Sequence, residues 1–132
     1  MNVEREAFWT ALAAQAPELD IDPSPGWEKE IGLSEDGRIR IKMSLSQDKT
    51  SVYLVARSPE AEIWVNENLV KLAKGLRTAI GQATGEASQK RWFRKDNKAA
   101  SVTVRHQWPE AIRWLRAQHK TFYRTMRSIE ET

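Results

Sequence analysis

The sequence predicts an α+β fold in which an antiparallel sheet of about five strands packs against about three helices, in the order α-β-β-β-α-β-β-α. Two observations lead to this prediction. Apolar residues recur every three or four positions in three segments and every second position between them. Residues that favour turns cluster where the period changes. With 132 residues, 40% of them apolar and 30% charged, the chain is expected to form one domain over residues 1–132.

The first helix is predicted to end near Ala16. Phe8, Leu12 and Ala16 follow one another at helical spacing, and acidic residues precede them where the helix dipole favours negative charge. Pro17 cannot continue the helix interior, and the Asp-Pro-Ser-Pro-Gly segment at 22–26 forms a stiff polar connection.

Three strands are predicted next, over residues 27–33, 38–45 and 51–57. Apolar and polar residues alternate in each of them, which is typical of strands with one buried face. Glu35-Asp36-Gly37 suits a hairpin loop with glycine in the left-handed position, and a second turn covers 47–50. The predicted register pairs Leu33 with Ile39, Ile31 with Ile41 and Glu30 with Lys42.

The next helix is predicted to begin at Ser58-Pro59-Glu60 and to run to about Ile80, before Gly81. Serine is a good N-cap, and proline is favoured at the first helical position. A second hairpin is predicted from residues 89–94 and 99–105, around a turn at 95–98, in either of two registers.

The last helix is predicted to begin at Pro109 and Glu110, because apolar residues then recur every three or four positions. This apolar stripe consists of Ile112, Leu115, His119, Phe122, Met126 and Ile129. We interpret His119 as a packing residue because it falls on this stripe.

Charge is divided unevenly along the chain. Residues 1–66 carry twelve acidic and seven basic side chains, whereas residues 67–132 carry six acidic and fourteen basic ones. The basic half includes a segment at 90–95 in which four cations surround Trp92 and Phe93. An excess of positive charge at one end of the chain indicates a polyanion or an acidic protein surface as its partner.

Two groups of residues are candidates for binding nucleic acid or another partner. In the strand at 38–42, alternation directs three cations to the face away from the core, where Arg57 can join them. The second group lies within residues 90–98, where cations could meet phosphates while the ring of Trp92 or Phe93 stacks on a base. The candidate residues are Arg38, Arg40, Lys42, Arg57, Lys90, Arg91, Trp92, Arg94, Lys95 and Lys98. Two alternatives stay open: Glu28 and Glu30 could neutralise the first group, and at least one of the two rings must face the core.

No catalytic residue, metal site or cofactor is predicted. Cysteine is absent and the two histidines have no carboxylates at ligand spacing, so the usual zinc sites are excluded. Asp96-Asn97-Lys98 has the acid-x-Lys pattern of some nucleases, but we interpret it as a turn. With no apolar run long enough for a membrane span and no signal peptide, a cytoplasmic protein is expected.

The aromatic residues carry a family resemblance that extends from about Arg5 to Met126. They are Phe8-Trp9, Trp27, Trp92, Trp108-Pro109-Glu110, Trp114-Leu115 and Phe122. With them the chain resembles an uncharacterised family, a domain of unknown function best known as a C-terminal segment behind restriction-endonuclease-like nuclease domains of bacteria and archaea. The resemblance implies an accessory module in DNA restriction, repair or defence.

The function predicted from these observations is a non-enzymatic module that binds nucleic acid or a nucleoprotein. The nuclease partner of the family is missing from this chain, which opens an alternative. In that case the protein is a small inhibitor, encoded by a phage or mobile element, that docks on a host defence complex of the CRISPR or restriction type. A degenerate nuclease is the third and minor alternative.

Overall fold

The computed structural model describes residues 2–46, 48–78, 83–84 and 91–131. Within these described residues, short 3-10 turns lie at Pro17–Leu19 and at Arg105–Gln107. The helices are α1 (Asn2–Gln15), α2 (Pro59–Glu67), α3 (Leu69–Leu76) and α4 (Trp108–Glu130). The strands are β1 (Glu28–Gly32), β2 (Ile39–Leu45), β3 (Thr50–Ala56), β4 (Ala83–Thr84) and β5 (Arg91–Asn97).

The fold is α+β, as predicted, with an antiparallel sheet in the order β1-β2-β3-β5-β4. Strand β4 is only two residues long, so four strands form the body of the sheet. The predicted three-stranded meander is confirmed: Ile31 pairs with Ile41 and Glu30 pairs with Lys42. Gly37 has a φ of 73°, the left-handed conformation that the turn requires.

The single helix predicted from residue 58 to about 80 is wrong, because the chain forms two helices with a break at Asn68. The Asn68 side-chain amide donates to the carbonyl oxygen of Trp64 at 2.8 Å, and its backbone N–H is shared between the carbonyls of Trp64 and Val65. An asparagine that bonds to its own helix in this way competes with the regular ladder. Helix α3 then ends at Leu76, and Gly81 lies outside the described residues.

The predicted second hairpin is also wrong. Residues 95–97 belong to strand β5, and residues 99–105 form turns instead of a strand. Side chains bond the backbone groups that a strand ladder would use: the Ala99 N–H donates to Asn97 Oδ1, the Ser101 N–H donates to Gln107 Oε1, and the Trp108 indole donates to the Val102 carbonyl. Strand β5 therefore pairs with β3 and with β4.

The core lies between the helices and one face of the sheet, which is called the inner face below. Strand β2 alternates between buried and half-buried residues, as expected for a sheet covered on one side. Helices α1 and α4 meet the inner face with large side chains, and the Phe8 and Trp108 rings pack edge to face with centroids 5.4 Å apart. The fully buried residues on these two helices include Phe8, Trp9, Leu12, Leu115, Phe122 and Met126.

Candidate functional site

The outer face of the sheet carries the first group of predicted binding residues, and Glu30 lies at its centre. Arg40 Nε is 3.3 Å and Lys42 Nζ is 3.5 Å from the Glu30 carboxylate, which also accepts a hydrogen bond from Arg57 Nε at 3.0 Å. Glu28 forms a second ion pair with Lys42, at 3.6 Å. Three of the four predicted cations are therefore neutralised by carboxylates.

Arg38 precedes this network and is exposed. Its backbone N–H donates to Asp36 Oδ1 at 3.0 Å, and its carbonyl accepts the Arg57 N–H at 2.7 Å. These bonds fix the backbone at the start of β2 and leave the guanidinium in solvent. Arg38 is thus the one member of this group that forms no ion pair among the described residues.

The network also sets the charge state of Glu30. Burial by itself would raise the pKa of this carboxyl, but the hydrogen bond from Arg57 and the charges of Arg57, Lys42 and Arg40 outweigh it, so the pKa lies below the ordinary value of 4.5. Because the folded pKa is depressed, Glu30 stabilises the protein fully above pH 4.5, and this contribution disappears as the pH falls through the folded value.

We expect the Glu30→Gln variant to lose about 1–2 kcal/mol of unfolding free energy at neutral pH, between the values for exposed and for buried ion pairs. The loss should shrink as the pH falls below 4.5, because protonation then removes the same charge from the parent protein. Urea unfolding over a pH series measures both effects. The control is Glu67→Gln, at an exposed residue, and a pH-independent difference for Glu30→Gln would contradict the prediction.

Asp96 organises a second polar cluster on the same face, between β3 and β5. Its carboxylate accepts hydrogen bonds from Ser51 Oγ at 2.5 Å and from Arg94 Nε at 3.0 Å, and it lies 3.6 Å from Lys49 Nζ. Burial opposes ionisation, but these partners lower the pKa of Asp96 below its ordinary value. Asp96 thus lies in a strand, not in the predicted turn, and it neutralises Arg94.

The described residues contain no group of three histidine or acidic side chains placed to hold a metal ion. Asp96 is the acid of the acid-x-Lys pattern, and its oxygens are engaged by Ser51, Arg94 and Lys49. These contacts give Asp96 a structural role between β3 and β5.

Trp92 and Phe93 are adjacent in sequence, yet both rings are buried, with 2% and 1% of their surface exposed. Regular alternation would place them on opposite faces. A β-bulge explains the difference, since Leu54 pairs with Trp92 whereas Val52 pairs with Lys95, and Phe93 has a φ of 60°. The ring of Trp92, predicted as a possible stacking surface, is therefore packed in the core.

The remaining predicted cations are Lys90, Arg91, Lys95 and Lys98. Lys95 is half-buried beneath α4, where Nζ donates to Gln118 Oε1 at 3.1 Å, and burial, reinforced by the charge of Arg77, lowers the pKa of Lys95. Lys98 is exposed in the turn after β5. Arg91 is the first residue of that strand, and Lys90 lies outside the described residues. Of these cations, Lys95 contacts α4 instead of the cations of β2.

The outer face of α4 carries five cations, three of which are paired with carboxylates. Arg113 pairs with Glu110, Arg116 pairs with Glu18 at 2.8 Å and Arg127 pairs with Glu130 at 3.3 Å. The two others are Lys120 and Arg124, which are exposed and form no ion pair within the described part of the chain.

A shallow groove of about 560 Å³ between α3 and α4 is lined by four cations, one of which is Arg124. Its described lining residues include no carboxylate, and none of the four cations forms an ion pair with a described residue. The groove, here called the cationic groove, is lined by Lys71, Lys74, Gly75, Arg77, Arg124, Thr125, Ser128 and Ile129.

The fold positions these cations by placing the buried faces of the two helices against each other. Leu72, Ala73 and Leu76 of α3 are buried, whereas the neighbouring Lys71 and Lys74 are exposed at the helix surface. Arg77 follows as the C-cap residue in the left-handed conformation, with a φ of 58°. Arg124 contributes from α4, next to the buried Thr125.

Lys71, Lys74 and Arg77 are not among the binding residues predicted from the sequence. A signal was present, because these three cations recur every three residues on the polar face of a predicted amphipathic helix. The pattern is typical of any solvated helix face, so only the packing of α3 against α4 reveals the cluster.

Comparison with known proteins finds no match to this chain among protein-family models, curated proteins or solved structures. The resemblance to the nuclease-associated family therefore stays a prediction carried by aromatic residues, of which Phe8, Trp9, Trp92, Trp108 and Phe122 are buried in the core. None of the described helices has the length and apolar character needed to span a membrane.

Proposed function

We propose that the protein is a non-enzymatic module that binds nucleic acid, free or within a nucleoprotein, through the cationic groove. The observation that carries this proposal is the convergence of four cations, Lys71, Lys74, Arg77 and Arg124, in a groove whose described lining residues include no carboxylate. Like charges held close together without counterions favour a ligand that supplies several negative charges at once. A phosphodiester backbone has this property, and binding releases its condensed counterions.

The outer face of the sheet is a less favourable site for the same ligand. Arg40, Lys42 and Arg57 already share the carboxylates of Glu28 and Glu30. A phosphate would have to compete with these ion pairs and would meet the two carboxylates beside them. The cations of the groove carry no such penalty among the described residues, so the electrostatic contribution to binding is larger there.

We further propose the biological setting that the family resemblance implies, an accessory role in a restriction or defence system. The groove supports it only through its chemistry, since a module that holds a phosphodiester strand can deliver or retain a substrate for a separate nuclease.

A second candidate function is that of a protein inhibitor which docks on a defence complex. Two apolar side chains support it: Ile63 on α2 and Val70 on α3 are 57% and 66% exposed, and Val70 directly precedes Lys71 of the groove. Exposed apolar residues beside a charged rim are typical of protein interfaces. This candidate predicts a stable complex with a protein and weak binding to bare oligonucleotides.

The test compares two variants that each lose two positive charges. Lys74→Gln/Arg124→Gln neutralises one cation from each helix of the groove, whereas Arg38→Gln/Lys98→Gln neutralises two exposed cations elsewhere. We expect the groove variant to flatten the slope of log affinity against log salt concentration by roughly 1.4–1.8, since each phosphate contact contributes about 0.7–0.9. Fluorescence anisotropy with labelled DNA and RNA oligonucleotides at several salt concentrations measures the slope.

The matched variant separates a local site from a general effect of net charge. Equal losses for both variants would reject the groove as the site, and a larger loss for Arg38→Gln/Lys98→Gln would favour the surface predicted from the sequence. If the parent protein binds no oligonucleotide even at low salt, nucleic-acid binding is rejected and the inhibitor becomes the better candidate. Thermal unfolding verifies that both variants are folded.

A further inference from the structure

A second cleft lies along α4, beside the 3-10 turn Pro17–Leu19. Its volume is about 690 Å³, and unlike the cationic groove it combines flat rings with cations. The lining residues are Glu18, Arg113, Arg116, Ala117, His119, Lys120 and Tyr123. The volume exceeds what one amino-acid side chain or a small ion needs, so the cleft has room for a larger planar group.

The rings of His119 and Tyr123 form the flat part of this cleft. Their centroids are 6.0 Å apart and their planes are inclined by 27°. Tyr123 is 42% exposed, so part of its ring is accessible to a ligand. Burial lowers the pKa of His119, although the charge of Glu18 opposes the shift, so the imidazole is neutral at physiological pH and presents an uncharged surface.

Cations line the cleft beside the rings. Lys120 forms no ion pair with a described residue, whereas Arg113 pairs with Glu110 and Arg116 neutralises Glu18 at 2.8 Å. The guanidinium of Arg127 lies 5.0 Å from the Tyr123 ring centroid and marks one end of the aromatic pair. A ligand with a planar apolar part and a negatively charged part fits this arrangement.

The cleft is connected to the cationic groove along the surface of α4. Lys120 lines the cleft and Arg124 lines the groove, and residues four positions apart are neighbours on the same face of a helix. Both side chains are exposed. A chain of phosphates that occupies the groove can therefore continue past Lys120 to the rings without meeting an unpaired carboxylate among the lining residues.

From this arrangement we infer that the ligand is a single-stranded nucleic acid, with one base stacked in the cleft on the rings of His119 and Tyr123 and with its backbone running past Lys120 and Arg124 into the cationic groove. The inference rests on the proposed function and adds the class of nucleic acid. Cations that follow the backbone, together with aromatic rings that stack on unpaired bases, are the means by which proteins bind single strands. In a duplex the bases are stacked on each other and are not available to these rings.

The test uses three labelled probes of equal length: an oligodeoxythymidine, a duplex and an abasic backbone oligomer. We expect the parent protein to bind the oligodeoxythymidine most tightly. Tyr123→Ala should weaken this binding by about 5- to 150-fold, the equivalent of one lost stacking contact. Its affinity for the abasic oligomer should stay the same, because the phosphate contacts are unchanged. Tyr123→Phe keeps the ring and should retain the affinity for the oligodeoxythymidine.

The outcomes distinguish this inference from the proposed function. If the parent protein binds the probes but Tyr123→Ala has no effect, or weakens the abasic oligomer equally, the stacking site is rejected while the groove stands. Equal affinity for duplex and single strand also rejects the inference. If no probe binds, both proposals fail. Because Tyr123 is exposed, an unchanged unfolding temperature is expected for Tyr123→Ala, and a large decrease would assign the residue a structural role instead.

Discussion

Replacing Trp92 with alanine is expected to reduce the free energy of unfolding by about 3–5 kcal/mol, the range for truncating a large buried aromatic side chain. The indole is 2% exposed and lies on the inner face of the sheet, where Trp92 pairs with Leu54 of the neighbouring strand. Truncation removes its dispersion contacts and leaves a cavity that the flanking strands cannot fill without moving. Urea unfolding followed by circular dichroism measures the loss.

This experiment also separates the two roles considered for Trp92. A ring that stacks on a base in solvent could be truncated with little change in stability, whereas a core ring cannot. A loss below about 1 kcal/mol would therefore contradict the core assignment. Trp92→Phe is the matched variant: it keeps an aromatic ring in the core and should be clearly more stable than Trp92→Ala.

The meander could be predicted because its determinants are local. Alternating apolar residues fix which face of each strand is buried, and Gly37 supplies the left-handed residue of the turn, so the register follows. The second hairpin could not be predicted in this way. Residues 99–105 alternate like a strand, but Asn97, Gln107 and the Trp108 indole bond the backbone groups of this segment. Such bonds depend on which side chains are brought close by the fold.

The candidate site shows the same division between local and tertiary signals. The predicted register already placed Glu30 opposite Lys42, so the ion pairs of the outer face follow from information within the sequence. The burial of both Trp92 and Phe93 could not be predicted from the sequence in this way. It requires a bulge with a non-glycine residue at positive φ, which is an uncommon conformation. The cationic groove depends on the approach of α3 and α4, two helices separated by more than thirty residues of the chain.

That approach is governed by Gly75. A Cβ atom added to this glycine would lie 2.7 Å from Thr125 Oγ1 and 3.0 Å from Thr125 Cβ, and still closer to Thr125 Cγ2. The methyl and hydroxyl groups of Thr125 could rotate away, but its Cβ is fixed to the backbone of α4. Gly75 is therefore a position where close packing of two helices requires the absence of a side chain, which explains a glycine inside a helix despite its unfavourable propensity.

We expect Gly75→Val to reduce the free energy of unfolding by about 3 kcal/mol, at the upper end of the usual range for overpacking, because the new side chain forces α3 away from α4. Adding Thr125→Ala removes the Thr125 hydroxyl and methyl groups that clash, so the double variant should recover part of the loss. The two substitutions should then be coupled by about 1–2 kcal/mol in a double-mutant cycle. Gly32→Ala is the control, since its added Cβ would meet no atom closer than 3.5 Å.

Because the spacing of the two helices also sets the width of the cationic groove, Gly75→Val should weaken oligonucleotide binding at a temperature where it is still folded. Additive stability losses for Gly75→Val and Thr125→Ala would show that the contact between these two residues does not determine the helix spacing.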